Sequence, residues 1–284
     1  MSIWDALDAP FQEIAQRAYL QHAFLGGLFV ALICAVLGVF IVLRGLSLLG
    51  DGLGHVSFGG VALGLLYGYN PILMALAFSV GGALLIHALR TLRIVRGDTA
   101  IGILFTAGLA FGVMIVSHNN LSSNVSTYLF GTILGADPAD LGVVVAVGAG
   151  LLVLVGLFQK EFFYMTYSDE GARVAGLPVN LLNVLFMALT AASVVVAVRI
   201  VGVLVVSSLL VIPAAASLQL ARSFRAALLL SAAFGIASVV AGFWIAIDGG
   251  FAVGASIGLS SCAIFCLAAL ARPLRQRRAR PRPA

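Results

Sequence analysis

The chain has 284 residues, of which 62% are hydrophobic and only 10% are charged, and its mean hydropathy is +1.13. Because a soluble domain carries about 25% charged residues, this composition excludes a water-covered globular surface and predicts one all-α domain, residues 1–284, that crosses a lipid bilayer many times. The formal charge is +5. Much of it lies in a basic tail, residues 272–284, which beside a membrane span favours a cytoplasmic anchor over a nucleic-acid-binding patch.

The predicted elements begin with residues 1–19, which lack the basic start and apolar core of a cleavable signal peptide and favour an amphipathic segment at the membrane interface. Nine apolar runs follow, and they predict spans near residues 20–43, 47–68, 71–89, 98–117, 139–159, 180–198, 200–221, 225–246 and 250–271. Only Arg199 and Gly202 separate the runs near residue 200. A broken or re-entrant hairpin there would reduce nine crossings to eight.

The distribution of basic residues predicts the orientation in the membrane, since cytoplasmic loops carry an excess of Lys and Arg. Alternate loops hold the basic residues Arg90, Arg93, Arg96, Lys160, Arg173, Arg222 and Arg225. The opposite loops hold Asp137, Asp140 and Asp248 and lack Lys and Arg. This alternation predicts a cytoplasmic C-terminus. The N-terminus lies outside if there are nine crossings and inside if there are eight.

The second predicted span carries a row of glycines, Gly60, Gly64 and Gly68, at four-residue spacing. In lipid, small residues at this spacing let helix backbones approach closely. Since glycine lowers helix propensity by about 1 kcal/mol relative to alanine, the row indicates a packing face.

Two ionisable residues, Asp51 and His55, lie in the same span and share one helix face because they are four positions apart. They are open to two structural interpretations: a mutual hydrogen bond, or an N-cap by Asp51 on a helix that starts at Gly52. The functional interpretation is a divalent-metal site for zinc, manganese or ferrous iron. One chain offers only this pair, so a twofold dimer would be needed to supply two Asp and two His.

The longest polar break on the predicted cytoplasmic side is residues 160–179, and it contains the run SDEGARVAG. Ser168 can cap a short helix there, Asp169 and Glu170 would lie in its first turn, and Gly176 can end it. This segment is either a solvated loop helix or a docking element for a cytoplasmic protein. Because the chain has no G-x-x-x-x-G-K-[ST] phosphate loop, ATP-driven transport would require a separate motor polypeptide.

The runs VLRGLSLLGDGLGHVSFGGVALG, SDEGARVAGLP and VGVLVVSSLLVIPAAAS resemble, in this order, three motifs of the permease subunits of zinc/manganese ABC importers. The resemblance implies a transport permease rather than an enzyme. It also implies a homodimeric channel in the cell (inner) membrane, cytoplasmic ATPase subunits and an extracytoplasmic metal-binding protein. No cofactor would be bound permanently, and the cargo would be Zn²⁺ or Mn²⁺. DGLGHVSFGG is more similar to the zinc members.

By the same resemblance, Asp51 and His55 match the intramembrane metal ligands of the family. The ATPase-docking loop of the family is matched by Asp169, Glu170, Ala172 and Gly176. Pro213, within the third motif, is either a kink or gate in a helix that lines the path or a tolerated membrane proline. The alternatives to a zinc importer are a manganese or iron importer of the same family, a proton-coupled secondary transporter with Asp51 as proton carrier, and an intramembrane metalloenzyme.

Overall fold

The computed structural model describes residues 18–95, 97–118 and 138–279. The predicted interfacial segment up to residue 17 and the loop 119–137 lie outside this description. The described residues form eleven α-helices: α1 Ala18–Leu43, α2 Leu49–Tyr67, α3 Pro71–Thr91, α4 Gly97–His118, α5 Pro138–Leu157, α6 Gln159–Tyr167, α7 Asp169–Val174, α8 Val179–Val201, α9 Val203–Leu220, α10 Phe224–Gly249 and α11 Val253–Ala279.

The prediction of an all-α protein with many membrane spans is confirmed, and helices occupy each of the nine apolar runs. Within the described residues, seven helices are long and apolar enough to cross a membrane. The count becomes eight if α5 and α6, which meet at a 62° bend, form one span. A count of eight agrees with the lower of the two predicted counts, and the ninth predicted span, residues 200–221, forms α9, which is a shorter apolar helix. Near Arg199 the chain does break, since Gly202 has φ +85° and separates α8 from α9.

The helices pack in two groups around α2 and α9. On one side α2 contacts α3 and α4, and on the other α9 contacts α1, α10 and α11, while α8 touches members of both groups. A cluster of three phenylalanines joins α1, α6 and α8. Phe40, Phe162 and Phe186 are fully buried, and their ring centroids lie 5.5–6.3 Å apart. This cluster attaches the short helix α6 to the membrane-spanning bundle.

Several helix contacts are close enough to exclude any side chain. A Cβ on Gly60 would lie 2.5 Å from the carbonyl oxygen of Met74, and one on Gly64 would lie 2.9 Å from the Cα of Pro71. Both glycines therefore let α2 meet α3 backbone to backbone. Gly68 differs from the predicted packing row. It ends α2 in the left-handed conformation with φ +70°, and a Cβ there would meet nothing within 4 Å.

The short helix predicted in SDEGARVAG is confirmed as α7. The Ser168 hydroxyl accepts a hydrogen bond from the backbone N–H of Gly171 at 3.0 Å, which caps the first turn. At the other end Gly176 takes φ +80°, and the N–H of Leu177 donates to the carbonyl of Ala172 at 3.0 Å. Glycine is favoured at such a helix end because a left-handed backbone is unstrained without a Cβ.

Candidate metal-binding face of α2

The helix that carries the ionisable pair begins earlier than one structural interpretation assumed. α2 starts at Leu49, and its N-cap is Leu48, whose side chain makes no capping hydrogen bond. Asp51 lies inside the first turn rather than at the N-cap. The N-cap interpretation of Asp51 is therefore wrong. The carboxylate still lies where the helix dipole favours negative charge.

The pair marks a narrow opening in an otherwise enclosed helix. From Leu49 to Ala62, every residue of α2 is buried except Asp51 and His55, which are both half-buried. Ionisable side chains within a membrane segment normally face protein or a water-filled space. Here the two ionisable residues occupy the open strip of the helix, while the apolar residues and glycines of that stretch are enclosed.

Two neighbouring helices define the edges of this strip. On the α9 side, a Cβ on Gly50 would lie 3.1 Å from Leu210 and one on Gly54 would lie 2.9 Å from Val203. On the α4 side, a Cβ on Gly52 would lie 2.8 Å from Ile101. Since residues turn by about 100° along a helix, the Asp51 and His55 face falls between α9 and α4, opposite the glycines that contact α3.

The imidazole of His55 is held by α4. Its ring lies edge-on to Phe105, with ring centroids 4.3 Å apart and planes at 69°. Beneath it, a Cβ on Gly108 would lie 3.0 Å from the carbonyl oxygen of His55, so this glycine allows α4 to approach. Nδ1 of His55 is shielded from solvent and makes no hydrogen bond. A shielded imidazole nitrogen with no partner is uncommon in proteins and is suited to accept a metal ion.

The carboxylate of Asp51 interacts electrostatically with His55 one turn away. Together they offer oxygen and nitrogen donors, the chemistry that borderline divalent metals accept. In the described part of the chain, no group of three or more His, Cys, Asp or Glu residues is placed to hold a metal ion. A single chain therefore presents two donors at an open face and leaves any further ligands to another source.

Ser207 on α9 is a polar neighbour of this region that the sequence pattern did not single out. It is half-buried and lies on the same α9 stripe as Val203 and Leu210, which contact α2. Its hydroxyl donates to the carbonyl of Val203 at 3.2 Å. Spacing within α9 places the three residues on one face, but only the packing of α9 against α2 turns that face toward the helix that carries Asp51 and His55.

The residues predicted to dock an ATPase differ in exposure. Asp169, Glu170 and Gly176 are exposed, whereas Ala172 is 0% exposed and packs against the helix bundle. Sequence reasoning did not select the two most exposed apolar side chains of this segment, Tyr167 at 89% and Val174 at 90%. Exposed apolar residues beside a charged helix are typical of a protein interface.

Pro213 lies inside α9 and is buried. A proline has no N–H to donate to the carbonyl four residues earlier, here that of Leu209. The helix nevertheless continues to Leu220. One turn before the proline, α1 packs directly on the backbone of α9. A Cβ on Gly38 of α1 would collide there with the carbonyl oxygen of Leu210.

This bundle of apolar helices has relatives among known membrane proteins. The family model described as the ABC 3 transport family matches residues 16–272. The chain therefore belongs to the ABC 3 transport family, and the resemblance recognised in its sequence is confirmed.

Individual relatives agree with this assignment. The chain is 32% identical over 255 residues to the manganese import system permease protein ScaB of Streptococcus gordonii, covering 90% of this chain and 92% of the relative. It is 32% identical over 259 residues to the manganese transport system membrane protein MntC of Halalkalibacterium halodurans, covering 91% and 89%. The solved structure of PsaBC from Streptococcus pneumoniae in complex with Fab matches with a TM-score of 0.84 at 30% identity, covering 92% of this chain and 95% of that chain.

Proposed function

We propose that this chain is the membrane-spanning subunit of an ATP-driven importer of divalent metal ions, with Mn²⁺ as the cargo and Asp51 and His55 as its transient ligands. The single observation that carries this proposal is the burial of α2. Between Leu49 and Ala62, the only side chains left partly open are one carboxylate and one imidazole.

The relatives named above support manganese rather than the zinc expected from the run DGLGHVSFGG, because their names describe manganese import and transport. Asp and His donors are compatible with either metal, so the pair itself does not favour zinc. Membership of an ABC family also favours ATP-driven transport over the proton-coupled and metalloenzyme alternatives.

The missing ligands support a homodimer. Manganese prefers about six donors, with carboxylates, water and imidazole among them, and one chain offers two at this face. A second copy of the chain, related by a twofold axis beside the strip between α4 and α9, would raise the number of protein ligands from two to four. Water molecules would supply the remaining ligands. Such a site holds the ion only briefly, because an ion bound too tightly cannot leave.

The helix α7 and its flanks supply the surface for the ATPase subunit. Tyr167 and Val174 are almost fully exposed, and Asp169 and Glu170 lie beside them. Docking would bury the apolar side chains, while the phenylalanine cluster Phe40, Phe162 and Phe186 would pass movement of α6 and α7 to α1 and α8. In this scheme an extracytoplasmic metal-binding protein delivers the ion from the other side, and the C-terminal tail is cytoplasmic.

The test is ATP-dependent uptake by the full complex reconstituted in vesicles with its ATPase subunits and binding protein. We expect uptake of radioactive Mn²⁺ that depends on ATP and is reduced by unlabelled Mn²⁺ far more than by equal Zn²⁺. Equal or stronger competition by Zn²⁺ would indicate that zinc is the transported ion. Uptake by the chain alone under a proton gradient, without ATPase subunits, would contradict ATP-driven import altogether.

A further inference from the structure

A second site lies away from the metal-binding face, where the ends of α1 and α3 meet α6, α7 and α8. It is a cavity of about 520 Å³. Four arginines line it, Arg44, Arg90, Arg93 and Arg173, and the only acidic residue among its lining residues is Asp169. Four arginines and one aspartate give the lining a formal charge of +3. The proposed metal ligands Asp51 and His55 are not among its lining residues.

The guanidinium of Arg44 forms the inner wall of the cavity. Its Nε donates to the hydroxyl of Thr166 at 3.1 Å, and one Nη donates to the side-chain carbonyl of Asn183 at 2.9 Å. Both acceptors are neutral, so the positive charge is held in place without being neutralised. The other nitrogen, Nη2, is shielded from solvent and makes no hydrogen bond. A buried donor without an acceptor is costly.

Arg44 is largely buried and lies near charges of both signs. Burial lowers the pKa of Arg44 to about 10; nearby Asp169 raises it and the positive charge of Arg90 lowers it. Arg44 therefore remains protonated at neutral pH, but its charge is poorly solvated, and Asp169 is the one acidic residue beside four arginines in this cavity. An anion in the cavity would stabilise the charge of Arg44 and reduce its repulsion by Arg90.

Arg93 contributes a third positive charge, and its backbone adopts an unfavourable left-handed conformation. It ends the turn after α3 with φ +54°, and it is the only non-glycine residue in the described chain with positive φ. Glycine is the usual residue at this position after a helix, because a side chain makes the left-handed conformation unfavourable by roughly 1 kcal/mol. Strained positions of this kind are enriched at functional sites.

We propose that this cavity, bounded by Arg44, Arg90 and Arg93, is a binding site for a phosphate-bearing anion. Guanidinium groups bind phosphate through paired, charge-assisted hydrogen bonds, and basic pockets between membrane helices are known to accept anionic lipid headgroups. Thr166 and Asn183 orient the inner arginine, and the exposed side chains of Arg93 and Arg173 lie at the rim. Two sources share this chemistry: the headgroup of an anionic phospholipid, and free phosphate or a phosphate ester.

The site borders the start of α7, since Ser168 and Asp169 also line the cavity. Its occupancy would therefore stabilise the attachment of α7 to the ends of α1 and α3. This inference is independent of which metal is transported, and it would stand if the proposed function failed.

The experiment uses the full chain in lipid nanodiscs, with one cavity variant and one matched control. The cavity variant is Arg90→Gln combined with Arg93→Gly, in which glycine suits the left-handed backbone and keeps the fold. The control is Arg222→Gln combined with Arg225→Gln, which removes the same charge from exposed positions just before α10 and in its first turn. The unfolding midpoint of each protein without added ligand verifies that all three are folded.

The first arm tests the lipid source. Native mass spectrometry of protein released from nanodiscs of equal phosphatidylcholine and phosphatidylglycerol measures which lipid is retained. We expect phosphatidylglycerol to be retained by the wild type and the control and its retention to fall on the order of tenfold in the cavity variant. The second arm measures the shift in unfolding midpoint caused by inorganic phosphate at constant ionic strength in phosphatidylcholine nanodiscs.

A phosphate-dependent shift in wild type and control that is lost in the cavity variant, without lipid selectivity, assigns the site to a free phosphate group. Lipid selectivity lost in the cavity variant assigns it to a headgroup. If neither ligand binds, or if all three proteins respond alike, the proposal is overturned. An acidic side chain of the ATPase subunit would then be the remaining candidate to pair with these arginines.

Discussion

The imidazole of His55 packs edge-on against the ring of Phe105, with 4.3 Å between the ring centroids. The two residues belong to different helices, α2 and α4, so the direction of the histidine depends on how these helices dock. Gly108, one turn further along α4, makes that docking possible, because a Cβ there would lie 2.7 Å from the Cα of Val56. The candidate ligand is therefore positioned by tertiary packing.

Removing either donor should stop transport without unfolding the protein. We expect Asp51→Asn and His55→Gln each to reduce ATP-dependent Mn²⁺ uptake by the reconstituted complex about 100-fold or more. Each substitution removes one ligand from both chains of the proposed dimer. Asp248→Asn and His118→Gln are matched controls at exposed helix ends and should transport normally. Wild-type uptake by both site variants would rule out the proposed ligands.

Loosening the histidine should weaken the site in a different way. Phe105→Leu keeps an apolar side chain but removes the ring that faces His55, so we expect the Mn²⁺ concentration for half-maximal uptake to rise about three- to tenfold. The maximal rate should change less. Phe111→Leu on the same helix removes a ring that instead stacks on Phe78 at 6.0 Å, and it should leave this concentration unchanged. Equal effects of both substitutions would indicate a general packing role for Phe105.

The close contact of α2 with α3 predicts a stability difference between two glycines. Gly60→Ala should lower the free energy of unfolding by about 1–3 kcal/mol, because the new Cβ would lie 2.9 Å from the Cα of Ala75 and the backbones would have to separate. Gly81→Ala on α3 meets nothing within 4 Å and should be neutral or slightly stabilising. Unfolding of both variants in detergent measures the difference, and equal stability would show that the helices can separate freely.

Arg44 should be irreplaceable by lysine. Its planar guanidinium binds Thr166 and Asn183 and lies 4.4 Å from the ring centroid of Phe186. An ammonium group cannot reproduce this geometry, so Arg44→Lys should cost about 1–3 kcal/mol of stability. Arg225→Lys, at an exposed position, is the control and should unfold like the wild type. An unchanged unfolding midpoint for Arg44→Lys would mean that charge alone is required.

The exposed apolar side chain of Val174 should be needed for assembly. Val174→Asp introduces a charge on a surface proposed to be buried by the ATPase subunit, so we expect co-purification of that subunit to fall at least about tenfold. Leu92→Asp places the same charge at a side chain that is 68% exposed in the loop after α3, and assembly should be retained. A stable complex with Val174→Asp would place the docking surface elsewhere.

Several features were predictable because their determinants are local. Apolar runs located the spans, and Ser168 and Gly176 predicted both ends of α7, since a capping residue acts on a backbone only a few positions away. The shared face of Asp51 and His55 follows from four-residue spacing alone. Gly68 shows the limit of that reasoning, because its spacing matches Gly60 and Gly64 although it lies where the helix has already ended.

By itself, the sequence determined that this chain is a helical membrane protein with a carboxylate and an imidazole on one face of its second span. Only the tertiary structure decided that this face is the open strip of α2 and that four arginines surround one cavity. Arg44 and Thr166, for example, bind each other across 122 positions of chain. Helix periodicity and capping are set by residues that are close in sequence. Which face of a helix is buried depends on the distant helices that pack against it, and a single sequence does not identify those helices.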